Sequence, residues 1–223
     1  MPVVEFIGVP GAGKSTLVEK LEDILSDPSW AGMPMEASRR PRVWSKIVTV
    51  LLYSRALAAA TRSLASDERS VSRRLRALRW FVSTLEIYNT RGKGVILIPE
   101  GTLQRAVLLF FTPGMPVNRD LLDRYLRVVP LGDLVVRIVV SPTEAVQRNE
   151  VRIVDPNDGR SNPRFMDAEV PPEQAFSDAN AFIRLVVSEV ERHRGVPVMT
   201  IHVGDQPTGP ELVYGILSRL NTV

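Results

Sequence analysis

The chain has 223 residues, 44% of them hydrophobic and 24% charged, which suits one sizeable core rather than two independent ones. A formal charge of +3, with arginine far outnumbering lysine, names no partner by itself; the absence of cysteine excludes disulfides and thiolate metal sites. No apolar run approaches the ~18 residues of a membrane-spanning helix. The longest candidate, 47–60, is broken by Ser54 and Arg55, and Glu5 stands where a secretory leader would be apolar. A cytoplasmic protein without a membrane partner is the expectation.

In chain order, residues 3–7 form a short β-rich apolar run. Residues 8–15 then read GVPGAGKS, a complete G-x-x-x-x-G-K-[ST] loop. Leu17, Leu21, Ile24 and Leu25 follow on one helical face, and Ser26-Asp27-Pro28 ends that helix. A short strand at 33–36 is expected to end at Glu36, with Pro34 confining it to an edge or a strand start. Helical spacing resumes with Trp44, Ile47, Val48, Leu51 and Leu52, and again with Val71, Leu75, Leu78, Val82 and Leu85. After the turn Arg91-Gly92-Lys93-Gly94, residues 95–98 are uniformly apolar, as in a parallel strand buried on both faces. A short helix around Leu121–Leu126, a strand at 134–140 and a helix opened by Ser141-Pro142 come next. Residues 155–172, rich in Asp, Asn, Gly and Pro, read as a loop. A helix over about 172–193, a strand at 196–203 and a helix opened by Gly209-Pro210 close the pattern. Strands alternating with helices predict a three-layer, doubly wound α/β fold. Its parallel sheet should have about five strands in a single domain over 1–223.

The chemistry concentrates at the first turn. A strand, a glycine loop and a helix start point successive backbone N–H groups at one spot, where the helix adds partial positive charge. Gly8, Pro10, Gly11, Ala12, Gly13, Lys14, Ser15 and Thr16 are therefore the expected nucleotide contacts. Lys14 would reach the β- and γ-phosphates, and the Ser15 hydroxyl would join a Mg²⁺ shell. Glu100 follows the strand 95–98 as a Walker B carboxylate would, and is expected on the same crevice as a second metal-side group. Gln104 and Arg105, one turn on, could line that cleft. Arg148 and Arg152 lie a turn apart on one helix face, with Arg160 and Arg164 in the loop beyond. Arginines so placed suit a lid that neutralises charge during phosphoryl transfer. The arginines at 69, 73, 74, 76 and 79 spread around their helix without interleaved aromatics, which argues against nucleic acid.

Two stretches carry a resemblance to the thymidylate-kinase-like group of small P-loop nucleoside and nucleotide kinases. One is the loop from Phe6 to Leu17; the other is 131–148, LGDLVVRIVVSPTEAVQR, which looks like that group's fourth strand and pre-lid helix. The resemblance implies that Arg148 borders adenine and phosphates, that Arg152 and Arg160 belong to a lid over 148–172, and that 28–93 shapes the acceptor side. It also places Glu36 like the general base of deoxynucleoside kinases. Arg39, Arg40 and Arg42 could neutralise an acceptor phosphate. The group often has Asp-Arg after its third strand, where this chain has Glu100-Gly101. The reading is an ATP- and Mg²⁺-dependent phosphotransferase acting on a small-molecule acceptor, compatible with a homodimer. Lys14, Glu100, Glu36, Arg148 and Arg152 form its catalytic set. The alternative is an ATP-binding regulatory or assembly module. A GTPase is disfavoured, because no Asn-Lys-x-Asp motif occurs.

Overall fold

The computed structural model describes residues 2–25, 95–154, 169–204 and 209–220, with helical positions 54, 55, 58, 81, 82, 84, 85, 87 and 88. The expected strand ending at Glu36, the arginines at 39, 40, 42, 69–79, 160 and 164, and Trp44 and Trp80 lie outside those residues.

The first strand, β1 (Val3–Ile7), is buried at every position, so both of its faces are covered. Helix α1 (Lys14–Leu25) leaves the glycine loop and buries Leu17, Val18, Leu21 and Leu25. The chain continues through β2 (Ile96–Ile98), α2 (Thr102–Phe110), α3 (Arg119–Val128), β3 (Leu134–Val139) and α4 (Pro142–Val154). Helix α5 (Pro172–Arg194), β4 (Val198–His202) and α6 (Gly209–Leu220) complete it. Four strands pair in the order β2-β1-β3-β4, all parallel. The fifth expected strand falls outside the described residues.

Side-chain alternation along β1 assigns the layers. Val4, Phe6, Val136 and Met199 share one face through the parallel register, and Gly215 of α6 packs on Met199. Helices α1 and α6 cover that face and pack on each other. Glu5 lies on the opposite face, where α2, α3 and α5 pack together and α4 packs on α5. This is the expected three-layer doubly wound arrangement. Helix α2 has no counterpart among the expected elements. Its sequence TLQRAVLLF buries Leu103, Ala106 and Val107.

Local signals explain most boundaries. Ser141 Oγ accepts from the Glu144 amide at 3.2 Å, capping α4 at its Ser-Pro start. Asn118 does the same for α3, accepting from Leu121 at 3.1 Å. Gly195, at φ 63°, ends α5 in the left-handed conformation, after Arg192, His193 and Arg194 have met the helix's negative end. Among the described residues, no helix is long and apolar enough to cross a membrane.

The topology also positions the site. From β1 the chain moves to β2 on one side, then returns to β3 on the other. Between β1 and β3 the sheet therefore has a switch point, and the crevice beyond the strands' carboxyl ends opens there. The glycine loop sits at that point.

Candidate active site

The loop is held from below and from both sides. A Cβ on Gly8 would stand 2.8 Å from the Ile138 carbonyl of β3, so the chain leaves β1 flush against its neighbour only because residue 8 is glycine. Gly11 and Gly13 adopt φ of 82° and 83°, which curls the loop so that it closes on itself. Val9 and Ala12 are buried beneath it, with the Ala12 amide bonded to the Val9 carbonyl at 3.1 Å.

Lys14 begins α1 and folds back over the loop. Its Nζ donates to the Gly8 carbonyl at 2.8 Å and to the Val9 carbonyl at 3.1 Å, and only 8% of the residue is exposed. Ser15 and Thr16, next along the helix, are exposed. The expected loop residues, Gly8 through Thr16, thus form one continuous turn and helix start.

Helix α4 reaches the loop from β3's side. Arg148 donates from Nη1 to the Gly11 carbonyl at 3.1 Å and pairs through Nη2 with Glu144 at 2.6 Å. Its neighbour Asn149 is buried, and its Nδ2 spans the Pro10 carbonyl at 3.1 Å and the Ala145 carbonyl at 2.8 Å. Two adjacent α4 side chains therefore satisfy two adjacent loop carbonyls, which fixes the turn without using its amides. Arg152 belongs to α4 one turn further on.

Helix α2 approaches from β2's side. Glu100 follows β2 and is exposed, with its carboxylate 3.1 Å from Arg105 Nη2. Arg105 also donates from Nε to Thr84 at 3.3 Å. Gln104 is buried, and its Oε1 accepts from the Gly8 amide at 3.2 Å, tying α2 to the loop. Glu100, Gln104 and Arg105 thus stand together at the carboxyl end of β2.

Glu5 makes the second tie. This fully buried carboxyl accepts from the Tyr88 hydroxyl at 2.7 Å and from the Leu103 amide in the first turn of α2. Thr102 Oγ1 lies 3.4 Å away but donates more closely, at 2.6 Å, to the Pro130 carbonyl. The side chain of β1 thereby caps α2, whose own N-cap Gly101 makes no side-chain cap. Burial pushes the Glu5 pKa up to about 7, against the lowering pull of Tyr88, Leu103, Gly132 and Thr102. Burial and the Glu5 charge also push the Tyr88 hydroxyl well above its ordinary range.

This contact explains why glycine follows Glu100. A Cβ at position 101 would overlap the Cγ, Cδ and Oε1 of Glu5. The volume a side chain at 101 would need is already filled by the β1 carboxyl. Sequence reading missed Glu5, although a lone acid within an all-apolar parallel strand was the available signal. It also missed Asn149, which gave no signal beyond its place beside Arg148.

No protein-family model matches the chain, and no curated protein matches it significantly. Solved structures do resemble it along nearly its whole length. Deoxyadenosine kinase from M. mycoides, with dCMP and a flexible dCDP bound, is 12% identical with a TM-score of 0.44, covering 99% of this chain and 100% of that one. Shikimate kinase from Acinetobacter baumannii, in complex with shikimate, is 19% identical with a TM-score of 0.46, over 100% and 94%. Thymidylate kinase from Ehrlichia chaffeensis is 12% identical with a TM-score of 0.44, over 98% of each chain. Overlap this loose does not carry a substrate from those proteins to this one.

Proposed function

We propose that this chain is an ATP-dependent phosphotransferase acting, in the cytoplasm, on a small metabolite bearing a hydroxyl or phosphate. The observation that supports it most is the Lys14 ammonium laid into a glycine loop at the sheet's switch point, with Arg148 at the loop's edge. A glycine loop, a helix start and two cations suit the triphosphate of a nucleotide. The positive φ of Gly11 and Gly13 sets the curl of that turn, and a Cβ on Gly11 would stand 2.7 Å from Asn149 Nδ2 of α4.

In this reading Lys14 holds the β- and γ-phosphates and Arg148, with Arg152 a turn beyond it, faces charge that develops during transfer. The exposed Ser15 hydroxyl and Glu100 carboxylate offer hard oxygen ligands of the kind Mg²⁺ takes. When bound, that ion supplies neutralising charge to the phosphate oxygens. Glu100 or Glu36 orients the acceptor hydroxyl and takes its proton. A nucleoside or nucleoside monophosphate is the first acceptor to try. A sugar or other small alcohol is next, because glycine at 101 leaves out the arginine common in nucleotide kinases.

The test is incubation with Mg·ATP and a panel of nucleosides, nucleotides, sugars and small alcohols, reading acceptor-dependent ADP and phosphorylated product by mass spectrometry. A kinase excludes water and turns over faster when its acceptor arrives. One acceptor that speeds ADP release and gains a phosphoryl group is the expected result. No product from any of them, with an ATP-dependent protein partner in pull-downs, would replace the kinase with a nucleotide-switched module.

A further inference from the structure

Gly8 is gripped from two directions. Lys14 Nζ binds its carbonyl at 2.8 Å, and Gln104 Oε1 binds its amide at 3.2 Å. The second contact settles the orientation of the Gln104 amide. Gly8 N–H is a donor, so the group facing it must be the oxygen, and Nε2 must face the other way. Gln104 is only 6% exposed, and its Nε2 makes no hydrogen bond with any described residue. That nitrogen is not among the sealed, unpartnered polar atoms of the described residues, so it is open to solvent and can donate to a ligand. Here the ammonium of Lys14 and the amide of Gln104 converge on one residue at the carboxyl end of β1. Arg105, the next residue of α2, already engages Glu100 and Thr84.

We propose that Gln104 reads the terminal phosphate of the bound nucleotide, its Oε1 fixing Gly8 while its Nε2 donates to a terminal phosphoryl oxygen. The inference rests on the phosphate-loop reading above and adds a residue from α2 to it. Gln104 then has two separable roles. As a strut to Gly8 it supports every nucleotide equally. As a donor it favours the triphosphate over the diphosphate. Because α2 is also tied to β1 through Glu5, the donor is carried on a fixed support rather than on a swinging side chain.

The experiment measures affinity for Mg·ATP and for Mg·ADP by calorimetric titration, in the wild type and two variants, each checked for a native melting transition. Gln104→Glu keeps an oxygen for Gly8 but replaces the donor with negative charge. Gln104→Met keeps the length and removes both bonds. The ratio of ATP to ADP affinity should fall about tenfold or more in Gln104→Glu, and severalfold in Gln104→Met. Affinity for ADP should drop in Gln104→Met more than in Gln104→Glu, since only the former loses the strut. An unchanged ratio in both would overturn the proposal and leave Gln104 as a strut alone. A wild type that binds neither nucleotide would instead overturn the phosphate-loop reading beneath it. Should Gln104→Glu fail to fold, the ratio in Gln104→Met decides the matter.

Discussion

Helices α1 and α2 both begin at the carboxyl ends of neighbouring parallel strands, β1 and β2, yet their first turns are finished in opposite ways. At α1 the chain supplies a glycine loop and the Lys14 ammonium, with no acidic residue in the first turn. At α2 it supplies its own hydrogen-bond acceptor, the buried Glu5 carboxyl, which meets the Leu103 amide. Each helix start carries partial positive charge and orphan amides. One is formed by a glycine loop and a lysine; the other is closed by a carboxyl from β1. The difference teaches that a helix N-terminus at the sheet's carboxyl edge is not by itself a ligand site. What the neighbouring strand points at it decides. The same residue that closes α2 also anchors the helix that bears Glu100, Gln104 and Arg105, so the closed start serves as the support of the open one.

Substituting Gly101 attacks the closed start directly. Gly101→Ala places a Cβ where the Glu5 carboxyl lies, and should lower stability by about 3 kcal/mol in urea unfolding, the scale of an overpacked core position. Adding Glu5→Ala to Gly101→Ala should then cost less than Glu5→Ala alone, because the clash is relieved. Strict additivity of the two would mean that Glu5 does not occupy that space.

A gentler test uses pH. Glu5 in the folded chain titrates at about 7, raised from 4.5 by burial. Between those values the native state keeps a proton that the unfolded chain has released, so Glu5 lowers stability as pH rises from about 4.5 to 7. Above 7 both states are charged and the loss levels off. At about 1.36 kcal/mol per unit the full change is roughly 3 to 4 kcal/mol at most. Glu5→Gln removes the titration. Unfolding free energies of the two proteins should therefore diverge across pH 5 to 7, the wild type losing ground, and run parallel above it. Parallel curves throughout would show that Glu5 is already ionised in the acid range.

Much of this was legible in the sequence. The loop signature and its flanks gave β1, the turn and α1 together, because glycine spacing, a lysine and an apolar periodicity all constrain the same short stretch. Strands β2, β3 and β4 were readable as apolar runs, and Ser141-Pro142 announced α4. Helix α2 was not, since Thr102–Phe110 carries no side-chain cap of its own and its apolar residues crowd together. Its start depends on a carboxyl 97 to 98 residues away in sequence, a contact that no local pattern encodes. The pairing of Gln104 with Gly8 is equally non-local, the partners standing 96 residues apart in sequence. Glu5 was visible as an oddity, and its meaning required the parallel sheet to bring α2 over it. The expected site residue Glu36 belongs to the part of the chain outside the described residues.

On the proposed function, the start of α1 binds the phosphates of a nucleotide through Lys14. Calorimetric titration of Mg·ATP into the wild type and into Lys14→Ala tests it most directly. The wild type should bind one ATP saturably. Lys14→Ala should keep its cooperative unfolding and lose about a hundredfold or more in affinity, as expected for removing a buried charge that meets a phosphate. Equal ATP affinity in the two proteins would contradict the claim.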